Sequence, residues 1–124
     1  MTAARLFLAL GALLAALAVV LGAFGAHGLK DRLGAELLAT FETAVRYHFY
    51  HALGLMAVAL AALQMPDSAW LKGAGWLMLA GLAVFSGTLY VLALGGPRWL
   101  GAVTPVGGAA FIAAWVLVAV AAWR

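Results

Sequence analysis

The chain has 124 residues, 68% of them hydrophobic and only 9% charged, with a mean hydropathy of +1.12. A soluble surface needs roughly 25 to 35% Lys, Arg, Glu and Asp, so a water-soluble fold is excluded and lipid is the solvent this composition suits. The net charge of +3 comes from singly scattered basic residues, which gives no nucleic-acid footprint, and zero Cys excludes disulfides, thiolate catalysis and Cys-ligated metals.

A hydrocarbon core about 30 Å thick requires roughly 20 apolar residues per helix, and charge-free runs of that length recur along the chain. Unpaired backbone groups are intolerable in lipid, and the runs are too long for barrel strands. The expected fold is therefore all-α: one membrane domain over residues 1–124, an integral bundle of four transmembrane helices with an amphipathic segment between the first and second.

The first helix is expected over residues 6–26. Arg5 ahead of an apolar stretch with small residues has the form of a secretory signal, but the run is longer than a usual signal core. Phe24 and His27 also interrupt any Ala-x-Ala site, so a retained helix is expected. Gly11, Ala15, Ala18, Gly22 and Gly25 form one stripe along it, a face on which helices approach closely in lipid. Beyond it, Leu29, Leu33, Leu37 and Phe41 recur at every fourth position, opposite Lys30, Glu36, Thr40 and Thr43, which predicts an amphipathic helix over about 29–46. Two placements stay open for it: flat in the interface, or continuous with the next run as one long helix protruding from the membrane.

The second helix is expected over 47–65, closed by Met65-Pro66-Asp67-Ser68, and the third over 73–96, closed by Gly95-Gly96-Pro97. The fourth is expected over 105–123, with the Thr104 hydroxyl as N-cap ahead of a first-turn Pro105. Trp70, Trp99 and Trp123 at run ends suit an interfacial aromatic belt. Four crossings put both termini on one side with Asp67 and Lys72. The other side receives Lys30, Asp31, Arg32, Glu36, Glu42, Arg46 and Arg98. Basic residues balance across the two sides, so the positive-inside rule assigns no orientation.

All three histidines join that second, more polar side. His48 and His51, three apart, share a helix face, a spacing that suits two ligands of one tetrahedral metal with His27 or Glu42 as a third. The same placement suits neutral histidines that hydrogen-bond neighbouring helices. Haem held by both is excluded, because two ligands on one face cannot take opposite axial positions. His27, beside Gly28, meets the negative end of the first helix dipole. Glu42 and Arg46 are spaced for an i,i+4 ion pair one turn before Tyr47 and His48. In the third run, Ser86 and Tyr90 are i,i+4 neighbours within reach of the same leaflet. Ser86 has no adjacent base, and a hydroxyl in a membrane helix generally bonds a carbonyl or bridges helices. The candidate ligand-binding cluster is thus His27, Glu42, Arg46, Tyr47, His48, His51, Ser86 and Tyr90, with His48 and His51 as metal ligands and no catalytic residue. No Walker, Rossmann or zincin motif is present.

Four motifs occur in order: Gly22-Ala23-Phe24-Gly25-Ala26-His27-Gly28-Leu29; Tyr47-His48 with His51-Ala52-Leu53; Phe85-Ser86-Gly87-Thr88-Leu89-Tyr90; and Thr104-Pro105-Val106-Gly107-Gly108. Together they resemble domain-of-unknown-function family 423, also called uncharacterised protein family 0382, small bacterial inner-membrane proteins with distant mitochondrial relatives. The resemblance implies four membrane helices and a bacterial cytoplasmic-membrane location, and it carries over no catalytic residue. The expected role is a non-enzymatic accessory or assembly subunit or a homo-oligomer, with membrane lipids and a larger membrane complex as partners. The alternative is small-ligand, proton or metal binding or transport through the histidine cluster.

Overall fold

The structure is a computed structural model describing residues 1–124. Every regular element is helical: α1 (Ala3–Phe24), a wide π-helical turn (Gly25–Leu29), α2 (Ala35–Gln64), α3 (Ala69–Ala93) and α4 (Leu100–Trp123). Ala3–Leu29, Ala69–Ala93 and Leu100–Trp123 are long and apolar enough to cross a membrane. The 30-residue α2 is longer still, but Tyr47, His48, Tyr50, His51 and Gln64 dilute its apolar character. It carries more buried residues than any other helix, so the polar-bearing element is the one its neighbours cover.

Side-chain caps set two of the starts. The Thr2 hydroxyl accepts from the Arg5 N–H at 3.2 Å, and the Ser68 hydroxyl accepts from the Leu71 N–H at 3.3 Å. At the far end of α1, a Cβ on Gly25 would stand 2.9 Å from the Phe41 ring, and one on Gly28 would stand 2.8 Å from the Phe24 ring. Aromatic rings thus occupy the space that side chains would need in the widened turn. α3 ends where Gly95 takes a φ of +103°, the left-handed geometry that glycine adopts without strain.

Two sequence expectations change. α4 starts at Leu100 rather than at Pro105, entered through i→i+3 bonds such as Ala102 N–H to the Trp99 carbonyl at 2.9 Å. Pro105 sits inside the helix, close enough to its start that the missing N–H forfeits one bond. Thr104 does not cap; its hydroxyl donates to the Leu100 carbonyl at 3.1 Å. The segment over 29–46 is likewise not one amphipathic unit. Leu29 belongs to the π turn, residues 30–34 form a turn and bend, and the chain from Ala35 onward is continuous with α2. That break rotates the pattern. Leu29 and Phe41 are buried, Leu33 and Leu38 pack beside them, and Leu37 is left 38% exposed.

The helices pack as a bundle in which α2 lies against α1 and α3, and α3 against α4. One apolar cluster, built on Phe7, Leu55, Leu71 and Met78, lies toward the chain termini, and a smaller one of Leu29, Phe41 and Ala93 closes the other end. The small-residue stripe of α1 does face its neighbours: Gly11, Ala18 and Gly25 are buried, and a Cβ on Gly11 would stand 2.9 Å from the Ala52 carbonyl oxygen. Trp70, Trp99 and Trp123 are exposed at helix ends, and the Arg124 guanidinium lies 6.0 Å from the Trp70 ring centre.

Candidate functional site

Between the two apolar clusters α2 turns Ala44, His48 and His51 inward, one helical turn after another. His48 is 1% exposed, His51 5% and Ser86 0%, so this polar layer is sealed from surrounding solvent of either kind. Ser86 Oγ donates to the Ala44 carbonyl at 2.9 Å, and the Tyr90 hydroxyl lies 2.7 Å from His48 Nδ1. Both bonds tie α2 to α3. The α2–α4 tie is the indole N–H of Trp115, which donates to His51 Nε2 at 3.1 Å. The α3–α4 tie is the Thr88–Thr104 hydroxyl pair at 2.6 Å.

The His51 tautomer follows from its partners. An indole N–H can only donate, so Nε2 must accept, and the imidazole proton sits on Nδ1, which donates to the Tyr47 carbonyl at 2.8 Å. Both ring nitrogens are thereby engaged within the protein. The ring is clamped as well, stacked on Phe111 with centroids 3.5 Å apart and planes 8° from parallel. His48 differs, because its Nε2 is buried without a hydrogen-bond partner.

The structure divides the eight residues singled out from sequence. His48, His51, Ser86 and Tyr90 meet in the polar layer, while Tyr47 is exposed and gives it only a backbone carbonyl and a ring stacked beside His51. His27 lies exposed on the π turn, and Glu42 and Arg46 are exposed along the seam between α2 and α1, both lining a cavity there with Gly22 and Gly25. No group of three or more His, Cys, Asp or Glu side chains converges as a metal-binding set. Sequence reasoning missed Phe111, Trp115 and the partnership of Thr88 with Thr104. A signal existed for the first two. They stand i,i+4 on α4, and Trp115 sits mid-helix, away from the ends where the belt tryptophans lie.

Comparison with known proteins places relatives around this arrangement. The family model for a protein of unknown function, DUF423, matches residues 21–108, which carry nearly all of the polar layer. The UPF0382 membrane protein YwdK of Bacillus subtilis is 49% identical over 118 residues, covering 95% of this chain and 96% of the relative. A UPF0382 membrane protein of Staphylococcus saprophyticus is 42% identical over 120 residues, covering 97% and 98% of the two chains. One from Staphylococcus epidermidis is 45% identical over 117 residues, 94% of each chain. No solved structure matches.

Proposed function

The chain belongs to the DUF423 family, whose curated relatives are UPF0382 membrane proteins, and we propose that it is a non-enzymatic subunit of the bacterial cytoplasmic membrane. In this role it crosses the bilayer four times and assembles with itself or with other membrane proteins. The fourth crossing is α2, whose 30 residues reach about 45 Å at 1.5 Å per residue, more than the core needs. The excess, from Ala35 to Arg46, protrudes at the charged side. Helical spans suit a cytoplasmic membrane, since bacterial outer-membrane proteins cross as closed barrels.

One observation carries the non-enzymatic role: the polar side chains of the buried layer bond one another or helix carbonyls, leaving no set of groups aimed at a substrate-sized space. They hold helices together, and the outer apolar surface is left for partners. Native mass spectrometry of the protein, extracted from its own membranes in mild detergent, is expected to give a multiple of the 12.8 kDa chain or a complex with other proteins. A strict monomer would overturn the proposal.

A second function rests on His48, whose buried Nε2 is unpartnered and so open to a proton or small ligand. Replacing His48 with Gln should then change bound metal, the absorption spectrum or a pH-dependent phenotype. No change in any of these would remove that function.

A further inference from the structure

We propose that the seam between α1 and α2 is a phospholipid site selective for an ethanolamine-type headgroup, with Arg46 meeting the phosphate and Glu42 the ammonium. It depends on the chain lying in a bilayer and is independent of the subunit role. The two helices are tightly packed at one level and parted at another. At Gly11 a Cβ would come 2.6 Å from Met56 Cγ, whereas at Gly22 it would meet only Val45 Cγ1, at an ordinary 3.4 Å. Packing closes again where Phe41 covers Gly25.

Two adjoining cavities fill the opening, about 310 Å³ and about 160 Å³, and they share Gly22, Val45 and Arg46 as a common wall. The larger is apolar along α1, through Ala18, Val19 and Ala23, and suits an acyl chain. The smaller carries Glu42 beside Arg46, a carboxylate and a guanidinium one helical turn apart. One turn rises about 5.4 Å, a span that a phosphate and an ammonium joined by two carbons can cover.

Charge decides the occupant. A purely anionic headgroup would meet Arg46 but be repelled by Glu42, while a zwitterion satisfies both. A helix from a second copy laid in the seam would bury this exposed pair at the edge of the lipid without a compensating partner, at a desolvation cost. At the headgroup level the pair stays partly hydrated, and the Arg46 stem can lie along the apolar wall.

The test equilibrates the full chain with equal amounts of phosphatidylethanolamine and phosphatidylglycerol of matched acyl chains and weighs the retained adducts by native mass spectrometry. The wild-type protein is expected to retain phosphatidylethanolamine preferentially. Glu42→Gln is expected to abolish the preference while keeping binding, and Arg46→Gln to reduce both adducts about fivefold. Gly22→Leu, whose Cβ meets only Val45 Cγ1 at 3.4 Å and whose remaining atoms enter the cavities that Gly22 lines, is expected to displace the lipid from an intact fold. Equal retention of the two lipids by wild type, or undiminished adducts in Arg46→Gln, would overturn the site. A dimer that excludes lipid and is lost with Gly22→Leu would assign the seam to a second copy and overturn it equally. Copy number in the same spectra reports on the subunit role separately.

Discussion

Gly107 and Gly87 are helix-interior glycines of the same membrane domain, alike in sequence terms, and the structure assigns them opposite sensitivities. A Cβ on Gly107 would lie 2.8 Å from both Cα and Cβ of Phe85 and closer still to the Phe85 backbone nitrogen, whereas a Cβ on Gly87 meets nothing within 4 Å. Backbone atoms cannot swing aside as a side-chain tip can. Alanine at Gly107 must therefore push α4 from α3 by about 0.6 Å or more to restore ordinary contact at 3.4 Å. The same displacement stretches the 2.6 Å Thr88–Thr104 bond beyond the roughly 3.0 Å limit of an O–H···O bond. Overpacking costs about 1 to 3 kcal/mol, and an inter-helix hydrogen bond in a membrane averages about 0.6 kcal/mol. The gain in helix propensity from glycine to alanine is common to both variants and cancels in their difference. Gly107→Ala should thus be about 2 to 3 kcal/mol less stable than Gly87→Ala, measured by SDS titration of detergent-solubilised protein followed by circular dichroism. Equal stability of the two variants would refute the close helix contact and the argument from it.

Three further outcomes follow from the buried layer and the α2 extension. Ser86→Ala, which removes the donor to the Ala44 carbonyl, should cost about 0.6 kcal/mol and at most about 1.7 kcal/mol in the same titration, because that carbonyl keeps its place in the helix. A much larger loss would mean that the hydroxyl does more than join two helices. Trp115→Phe deletes the only donor to His51 Nε2 while the Tyr47 carbonyl still holds the proton on Nδ1, so nitrogen NMR of labelled histidine should keep the Nδ1–H tautomer and show the Nε2 resonance shifted toward that of an unbonded lone pair; an unchanged Nε2 resonance would contradict the assigned bond. Phe41→Ala should cost about 3 to 5 kcal/mol, while Leu37→Lys on the exposed side of the same helix should stay within about 0.5 kcal/mol of wild type; comparable losses would show that the register of α2 is misassigned.

Much was legible in the sequence because a bilayer imposes one-dimensional rules. A low charge count and long apolar runs demand helices, and the family motifs, read in order, pointed to the family to which the chain belongs. The breaks at Pro66–Ser68 and at Gly95-Gly96-Pro97 were marked by local chemistry, but α3 starts at Ala69 rather than 73, because Ser68 caps it, and ends at Ala93 rather than 96, because the chain leaves the helix just ahead of Gly95. The pattern of Leu29, Leu33, Leu37 and Phe41 misled because a strict period of four assumes unbroken helix, and residues 30–34 interrupt it. Pro105 misled because a proline near a helix start marks the first turn only on average, and here the chain had already begun to coil at Leu100.

The pairing of polar residues belonged to tertiary structure alone. His48 with Tyr90 and Ser86 with Ala44 are each 42 residues apart, and His51 with Trp115 is 64 apart, so no local spacing encodes them. Sequence placed the histidines, Glu42 and Arg46 at one end of the bundle as a single candidate cluster. Helix rotation split that cluster, turning His48 and His51 toward α3 and α4 while leaving Glu42 and Arg46 on the seam with α1. That rotation is set by which glycines admit a neighbouring ring or backbone, Gly107 at Phe85 and Gly11 at Met56, and such contacts exist only once the helices have met.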